Sequence, residues 1–270
     1  MKASIITLVI LSLISIVITG FWDTINSTVL PNTSWGLYSR DFFENLLVEI
    51  HGAILDLFVV GIILYWFDKR KSEKDKIKEA TINLEYLKYY CGSDVSYRFY
   101  GALKYLESLG IHNVSIPEAK LNNLKIDNLK LLSSNLIATN FTKSTLTWVN
   151  FKDCNLEASR FIDAKLKNCS FKSVKLNRSK FINAQLKSMD FRGCEIKGAI
   201  FKNASLQSAN FRGVDCSRVS FKGANLRSAN FIDATNITSD MILEADNYEH
   251  IKLPDGININ RGGIEHPSET

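Results

Sequence analysis

Four basic residues stand twenty positions apart, Lys152, Lys172, Arg192 and Arg212, and Lys167, Lys187 and Arg227 fall on a second row of the same period. Regularly spaced cations can hold a polyanionic surface, whether lipid headgroups, an acidic protein face or nucleic acid. They can equally form a solvated face, with salt screening their mutual repulsion. Other chemistry is sparse. The five cysteines show no CxxC or Cys/His ligand spacing, and His51, His112, His250 and His266 are scattered. There is no Ser/His/Asp constellation and no Gly-rich phosphate loop, so no catalysis, cofactor, metal or small-molecule substrate is expected. Glu49 and Asp56, seven residues apart and so on one helical face, could line an ion or proton path.

The segments that must carry these groups differ in composition. Residues 1–67 hold 2 Lys/Arg and 5 Asp/Glu, whereas residues 117–240 hold 20 and 10, so the net +5 of the 270 residues conceals a strongly basic middle. From Ala3 to Trp22 run twenty uncharged residues, about 30 Å of helix, the thickness of bilayer hydrocarbon. The run is too long for a cleaved signal, and no Ala-x-Ala site follows it. A second apolar stretch, near Leu46 to Phe67, ends in Tyr65-Trp66-Phe67 and is followed by Lys69-Arg70-Lys71, an aromatic belt with a basic flank. Residues 1–71 thus predict a two-span transmembrane hairpin. Arg40 is the one basic residue between the spans, while six lie in 68–78. Both termini and all that follows are therefore expected in the cytoplasm, on a bacterial inner (plasma) membrane.

Asp56 lies about 16 Å along the helix from Phe67, near the bilayer midplane. A lone carboxylate there costs at least about 2.5–3.5 kcal/mol and needs a partner or a proton. Ser12, Ser15 and Thr19 share one face of the first span, with Ser12 at nearly the depth of Asp56. Packing of that face against Asp56, within one chain or between copies of a homo-oligomer, is the expected contact.

Residues 72–116 predict a helical connector and N-terminal cap. Ile77, Thr81, Leu84 and Leu87, then Val95, Phe99, Leu103 and Leu106, have helical spacing on either side of Cys91-Gly92-Ser93. From Leu121 to Phe231, 23 successive positions spaced by five are all apolar. Two positions before each, from Ala119 to Ala229, the residue is small or apolar. A period of five fits neither helix nor strand, so the chain must turn regularly, with two of every five residues inside. Phe141, Phe161, Phe181, Phe201 and Phe221 form one column at twenty-residue spacing, and Phe151, Phe171, Phe191, Phe211 and Phe231 the opposite one. Leu fills the other two, so the coil has four sides. Cys154, Cys169 and Cys194 take the small inner position and Cys216 a large one.

The segments Ala-Asn-Leu-Arg-Ser (224–228) and Ala-Asn-Phe-Arg-Gly (209–213) carry a resemblance to the pentapeptide repeat family, over about residues 119–235. That resemblance implies a right-handed quadrilateral β-helix of 20 residues per coil. At strand spacing the coils would stack into a rod roughly 28 Å long. The domains expected are the hairpin (1–71), the connector and cap (72–116), the all-β solenoid (117–235), and a C-terminal cap helix and tail (236–270). The functional expectation is a membrane-anchored scaffold presenting a rigid cytoplasmic rod to an unidentified protein partner. An alternative is an oligomeric channel or membrane-disrupting effector that uses Asp56, with the rod as sensor. DNA mimicry toward gyrase, known in the family, needs an acidic rod, and this one is basic.

Overall fold

The computed structural model describes residues 2–28 and 40–259. They fall into two compact units, Met1–Lys76 and Ile77–Thr270.

In the first unit α1 (Lys2–Gly20) is followed after Phe21 alone by α2 (Trp22–Thr28), so the expected loop begins as helix. The rest of that loop, 29–39, lies outside the described residues. Helix α3 (Arg40–Tyr86) then runs unbroken for 47 residues. It merges the second span with the connector helix expected to be separate, and the unit boundary falls inside it rather than after residue 71. The reason is local: residues 68–80 are charged but rich in Lys, Glu and Ala, strong helix formers, with no Pro or Gly to end the helix. Among the described residues one helix, within α3, is long and apolar enough to cross a membrane. Its apolar window has a mean hydropathy of 2.2 and none of it is buried. The apolar part of the first helix, Val9–Gly20, is shorter. Arg70 stacks over the Trp66 ring at 4.3 Å, at the end of the apolar stretch.

In the second unit, α4 (Val95–Ser108) precedes a four-sided parallel coil. Strands β1 (Lys125–Asp127), β3 (Thr145–Thr147) and β5 (Lys165–Lys167) form one side. Strands β2 (Lys130–Leu132), β4 (Asn150–Lys152) and β6 (Ser170–Lys172) form the next. Pairing is parallel with a shift of twenty, Lys125 with Thr145 and Lys130 with Asn150, which fixes 20 residues per coil. Beyond β6 the ladder reduces to single bridges at the same shift, such as Asp190 with Asn210.

Each residue of the five has its own task. The large one fills the core: all ten repeat phenylalanines are buried. Rings in the Phe141 column stack at 4.8, 4.8, 4.9 and 5.6 Å with interplanar angles of 6–11°. The opposite column stacks as well from Phe191 to Phe231, but Phe151, Phe171 and Phe191 are tilted by 38–39°. The two columns meet edge to face across the interior. The small position lets adjacent coils close up. Where it is Ser or Thr from Thr139 onward, the hydroxyl donates to the carbonyl of the large residue 23 before it, as Ser144 does to Leu121 at 2.6 Å and Ser179 to Leu156 at 2.8 Å, while Ser134 at the coil's start donates to the His112 carbonyl at 2.9 Å. A buried hydroxyl thereby keeps a partner.

The residue after the small one is often Asn or Asp, and its side-chain oxygen accepts from the backbone N–H two residues on. Asn140 caps Thr142 at 3.0 Å, Asn225 caps Arg227 at 3.1 Å and Asn230 caps Ile232 at 3.1 Å. This Asx turn satisfies an N–H that the coil leaves unpaired, which is why Asn recurs there. The corner itself is the second residue after the large one. All 24 such positions from Glu118 to Asp233 have φ between 48° and 71°, the left-handed region. Short polar residues and Gly dominate them, because a bulky side chain is strained there.

Both ends of the coil are covered. Glu107 of α4 accepts from the Lys130 N–H at 3.0 Å, Lys104 donates to the Asn128 carbonyl at 3.0 Å, and the Asp127 N–H donates to the Tyr100 hydroxyl at 3.2 Å. These bonds occupy the first coil's edge along residues 127–130. At the far end the five-residue period stops at Asn236 and α5 (Ser239–Leu243) is inserted, capped by the Thr238 hydroxyl. The chain then rejoins the ladder, Asn225 with Asn247 and Asn230 with Lys252, at a shift of 22. The expected cap helix is present, but it interrupts a further partial coil rather than ending the stack.

Candidate interaction surfaces

The Lys152–Arg212 row lies on the β4–β6 side and its continuation, and the Lys167–Arg227 row on the β3–β5 side and its continuation. Lys152 and Lys172 are in register as neighbours. The row is less bare than its residue types imply. Arg192 pairs with Asp190 at 2.7 Å, Arg212 with Asp233 at 3.0 Å, Arg227 with Glu249 at 3.6 Å and Lys152 loosely with Asp153 at 3.9 Å. The Arg192 guanidinium hydrogen-bonds to Asp190 and holds its carboxyl below the usual carboxylate range, despite partial burial. Lys167, Lys172 and Lys187 form no ion pair among the described residues, and all three are exposed. These exposed pairs stabilise little and screen easily, so they mute the row's field rather than lock its side chains.

In the hairpin the polar face of α1 meets His51, not Asp56. Ser15 is buried and its hydroxyl lies 3.5 Å from the His51 ring nitrogens. Thr19 donates to the Ser15 carbonyl at 2.8 Å and also lies 3.5 Å from His51 Nε2. His51 Nδ1 sits 2.7 Å from the Leu47 carbonyl, which makes it the donor nitrogen and leaves Nε2 to accept from the Ser15 hydroxyl, the Thr19 proton being given to the Ser15 carbonyl. Ser12 lines a groove with His51, Ile54, Leu55 and Phe58. The expected intrachain contact to Asp56 is therefore not formed. Asp56 is five residues beyond His51, about 140° round the helix, and it is exposed, as is Glu49. Matching depth was not enough, because depth says nothing of azimuth.

Burial raises the thiol pKa values of Cys194 to about 11 and Cys216 to about 12, as befits core residues. Cys169 keeps its small inner position, its thiol donating to the Leu146 carbonyl at 3.4 Å, but is only partly covered. It follows Asn168, the corner one coil beyond Trp148, and Trp148 is the rod's most conspicuous departure from a polar exterior. Trp148 occupies a left-handed corner (φ 57°) and is 60% exposed. Its signal in the sequence is an aromatic at a frame position otherwise held by small or polar residues.

The regular corners, the two inner positions of each five and the shift of twenty match one known pattern. Residues 110–181 and 159–231 fit the family model described as a pentapeptide repeat region. Residues 110–231 are thus similar to a pentapeptide repeat region. The four-sided parallel coil of twenty residues per turn that the resemblance implies is present in this part of the chain. Among solved structures, a pentapeptide repeat protein of the Arabidopsis thaliana thylakoid lumen is 25% identical. The match covers 48% of this chain and 83% of that one, with a TM-score of 0.31. HetL, a pentapeptide repeat protein involved in heterocyst differentiation regulation from the cyanobacterium Nostoc sp. strain PCC 7120, is 15% identical. It covers 58% of this chain and 97% of HetL, with a TM-score of 0.24. Full-length QnrB1, a plasmid-mediated fluoroquinolone resistance protein, is 10% identical over 53% of this chain and 84% of its own, with a TM-score of 0.27. No curated protein matches the sequence.

Proposed function

We propose that this chain is a membrane-anchored scaffold whose pentapeptide rod presents rigid lateral faces to a protein partner and performs no catalysis. Pentapeptide repeat proteins are generally non-enzymatic scaffolds, and the closed core supports that role here. The observation that carries the reading is the covering of both ends. With Val95, Phe99, Leu103 and Leu106 of α4 packed into the core at the first coil and the last coil paired to 244–252, the faces left for a partner are the sides. Those sides bear in-register rows of side chains that a stacked core cannot rearrange. The fully exposed apolar window of α3 supports the anchor, since such a surface is stable only in an apolar solvent. In this reading α1 and the apolar part of α3 are the two spans of a bacterial plasma-membrane hairpin, and the rod is cytoplasmic. A homo-oligomer accounts for Asp56 and Glu49, whose face points away from α1.

Two measurements test this. Membrane fractions washed at alkaline pH retain the chain if it is integral, and its release would refute the anchor. The exposed Cys91 is expected to resist a membrane-impermeant maleimide in intact cells and to label in lysed ones. Pull-downs with the detergent-solubilised full chain are then compared with a variant carrying Lys172→Glu, Arg192→Glu and Arg212→Glu. Recovery of the same proteins by both would remove the basic row as the binding face.

A further inference from the structure

Within residues 111–235 one large apolar side chain is exposed, Trp148. It stands at the corner joining β3 to β4, so the two strand-bearing sides of the coil meet at its side chain. Its own N–H donates to the Lys167 carbonyl at 3.0 Å, which places it directly against the next coil. On one flank the β3–β5 pairing sets Lys165 and Lys167 beside Thr145 and Thr147. On the other flank Lys152 and Lys172 are paired neighbours. Lys165, Lys167 and Lys172 carry no ion pair among the described residues; of the acidic side chains nearby, Asp153 meets Lys152, Asp190 is held by Arg192, and Asp127 is exposed beside Thr147 on the first flank, one acid against the two lysines there. The rings behind the corner, Phe151, Phe171 and Phe191, are those that depart from parallel stacking.

We infer that this corner docks edge-on against an anionic bilayer surface, Trp148 entering the headgroup layer while the lysines on either flank reach lipid phosphates. The side-chain chemistry selects that partner. The cations around Trp148 are all lysines, flexible point charges suited to a diffuse and laterally mobile anionic surface. The arginines of the two basic rows, Arg192, Arg212 and Arg227, which suit bidentate recognition of a fixed phosphate or carboxylate, lie in later coils and are already paired with acids. An indole ring has an apolar body and a polar edge, and it is at its most stable at the lipid–water boundary. The inference deepens the membrane reading above, which supplies the bilayer within reach of the rod.

The test uses the full chain reconstituted into vesicles of phosphatidylcholine, with and without phosphatidylglycerol, carrying brominated acyl chains. The difference in emission between the wild type and Trp148→Phe isolates the corner from Trp22, Trp35 and Trp66. With phosphatidylglycerol this difference emission is expected to shift to the blue and to be quenched by bromine. Without it, or at raised salt, the emission is expected to stay that of an indole in water. Each of Lys165→Gln, Lys167→Gln and Lys172→Gln should weaken docking by about fivefold. Difference emission indifferent to phosphatidylglycerol, in protein that stays with the vesicles through an alkaline wash, overturns the inference and leaves the anchor standing. Release in that wash refutes the anchor instead, and the corner is then judged by the same quenching on added vesicles. A shift produced by duplex DNA or polyglutamate but not by phosphatidylglycerol reassigns the surface to nucleic acid or acidic protein, and so overturns the lipid assignment.

Discussion

Phe181 and Phe171 sit ten residues apart in opposite columns, and replacing each by Leu separates stacking from mere burial. Phe181 is flanked by near-parallel rings at 4.8 and 4.9 Å, tilted 7° and 6°. Phe171 faces its column neighbours at 5.4 and 5.9 Å with tilts of 39° and 38°. Both are buried, at 0% and 4% exposure, so the loss of transfer energy and the small void left by Leu are similar and cancel in the comparison. What differs is the ring–ring attraction, about 0.5–1.5 kcal/mol for each good pair. Two such pairs at Phe181 give about 1–3 kcal/mol, against less than about 1 kcal/mol for the poorly aligned pairs at Phe171. Because a solenoid need not unfold all at once, local exchange is a better readout than a global melt. Native-state hydrogen exchange of the full chain in detergent should follow the Phe161, Phe181 and Asn183 amides for Phe181→Leu, and the amides flanking Phe171 for Phe171→Leu. The expectation is a loss of protection about tenfold greater for the first variant. Equal losses, or a larger one for Phe171→Leu, would refute the idea that ring alignment stabilises the stack.

Ala158 holds a corner with φ 55°, so Ala158→Gly should stabilise by about 0.5–1 kcal/mol even though Gly usually destabilises, and Ala158→Val should cost at least as much; urea titration of both reads the sign. The buried thiols Cys194 and Cys216 hold their protons more tightly folded (about 11 and 12) than unfolded (9.0). Their contribution is therefore complete below pH 9 and is lost as pH rises through the folded values, by up to about 3 kcal/mol for Cys194 and about 4 kcal/mol for Cys216. A double Cys194→Ala, Cys216→Ala variant should flatten the alkaline limb of a stability–pH curve. Removing the acids that mute the basic row, Asp190→Asn with Asp233→Asn, should change stability by less than about 1 kcal/mol, yet increase binding to anionic vesicles and steepen its salt dependence. Substituting Asn225 by Ala removes the cap on the Arg227 N–H and should cost about 1 kcal/mol, seen as faster exchange of that one amide.

The coil was legible because one large side chain every five residues leaves a unique frame. The Phe columns, the inner cysteines at 154 and 194, and α4 all follow from that frame and from helical spacing. The corners were less visible, since Asn, Ser, Asp, Gly and even Lys143 or Trp148 all adopt the same backbone once the neighbouring coils enforce it. The length of α3 was missed because a change from apolar to charged residues looks like a boundary, while helix propensity continues across it. The hairpin contact was misplaced for a geometric reason. Ser12 and Asp56 agree in depth, but His51, Ile54, Leu55 and Phe58 share the face that meets α1, and Asp56 does not. The pairing of Arg212 with Asp233 crosses 21 residues and becomes readable only after the coil length is known. Both halves of the candidate site, the basic row and the polar hairpin face, were thus found as residues, but their partners were not.

A shift of twenty between paired rows makes the chain behave like a gear with four teeth per turn. Inserting a whole turn would lengthen the stack by one tooth row, about 4.8 Å, and return every later side chain to its original compass bearing. Inserting five residues would keep the same residue classes inside yet swing everything downstream through a quarter revolution, exchanging aromatic for aliphatic columns, and inserting ten would restore the columns with the later faces reversed. Length and heading are therefore coupled in this molecule, and a lineage or an engineer can turn the later part of the charged rows relative to Trp148 by choosing the size of one duplication.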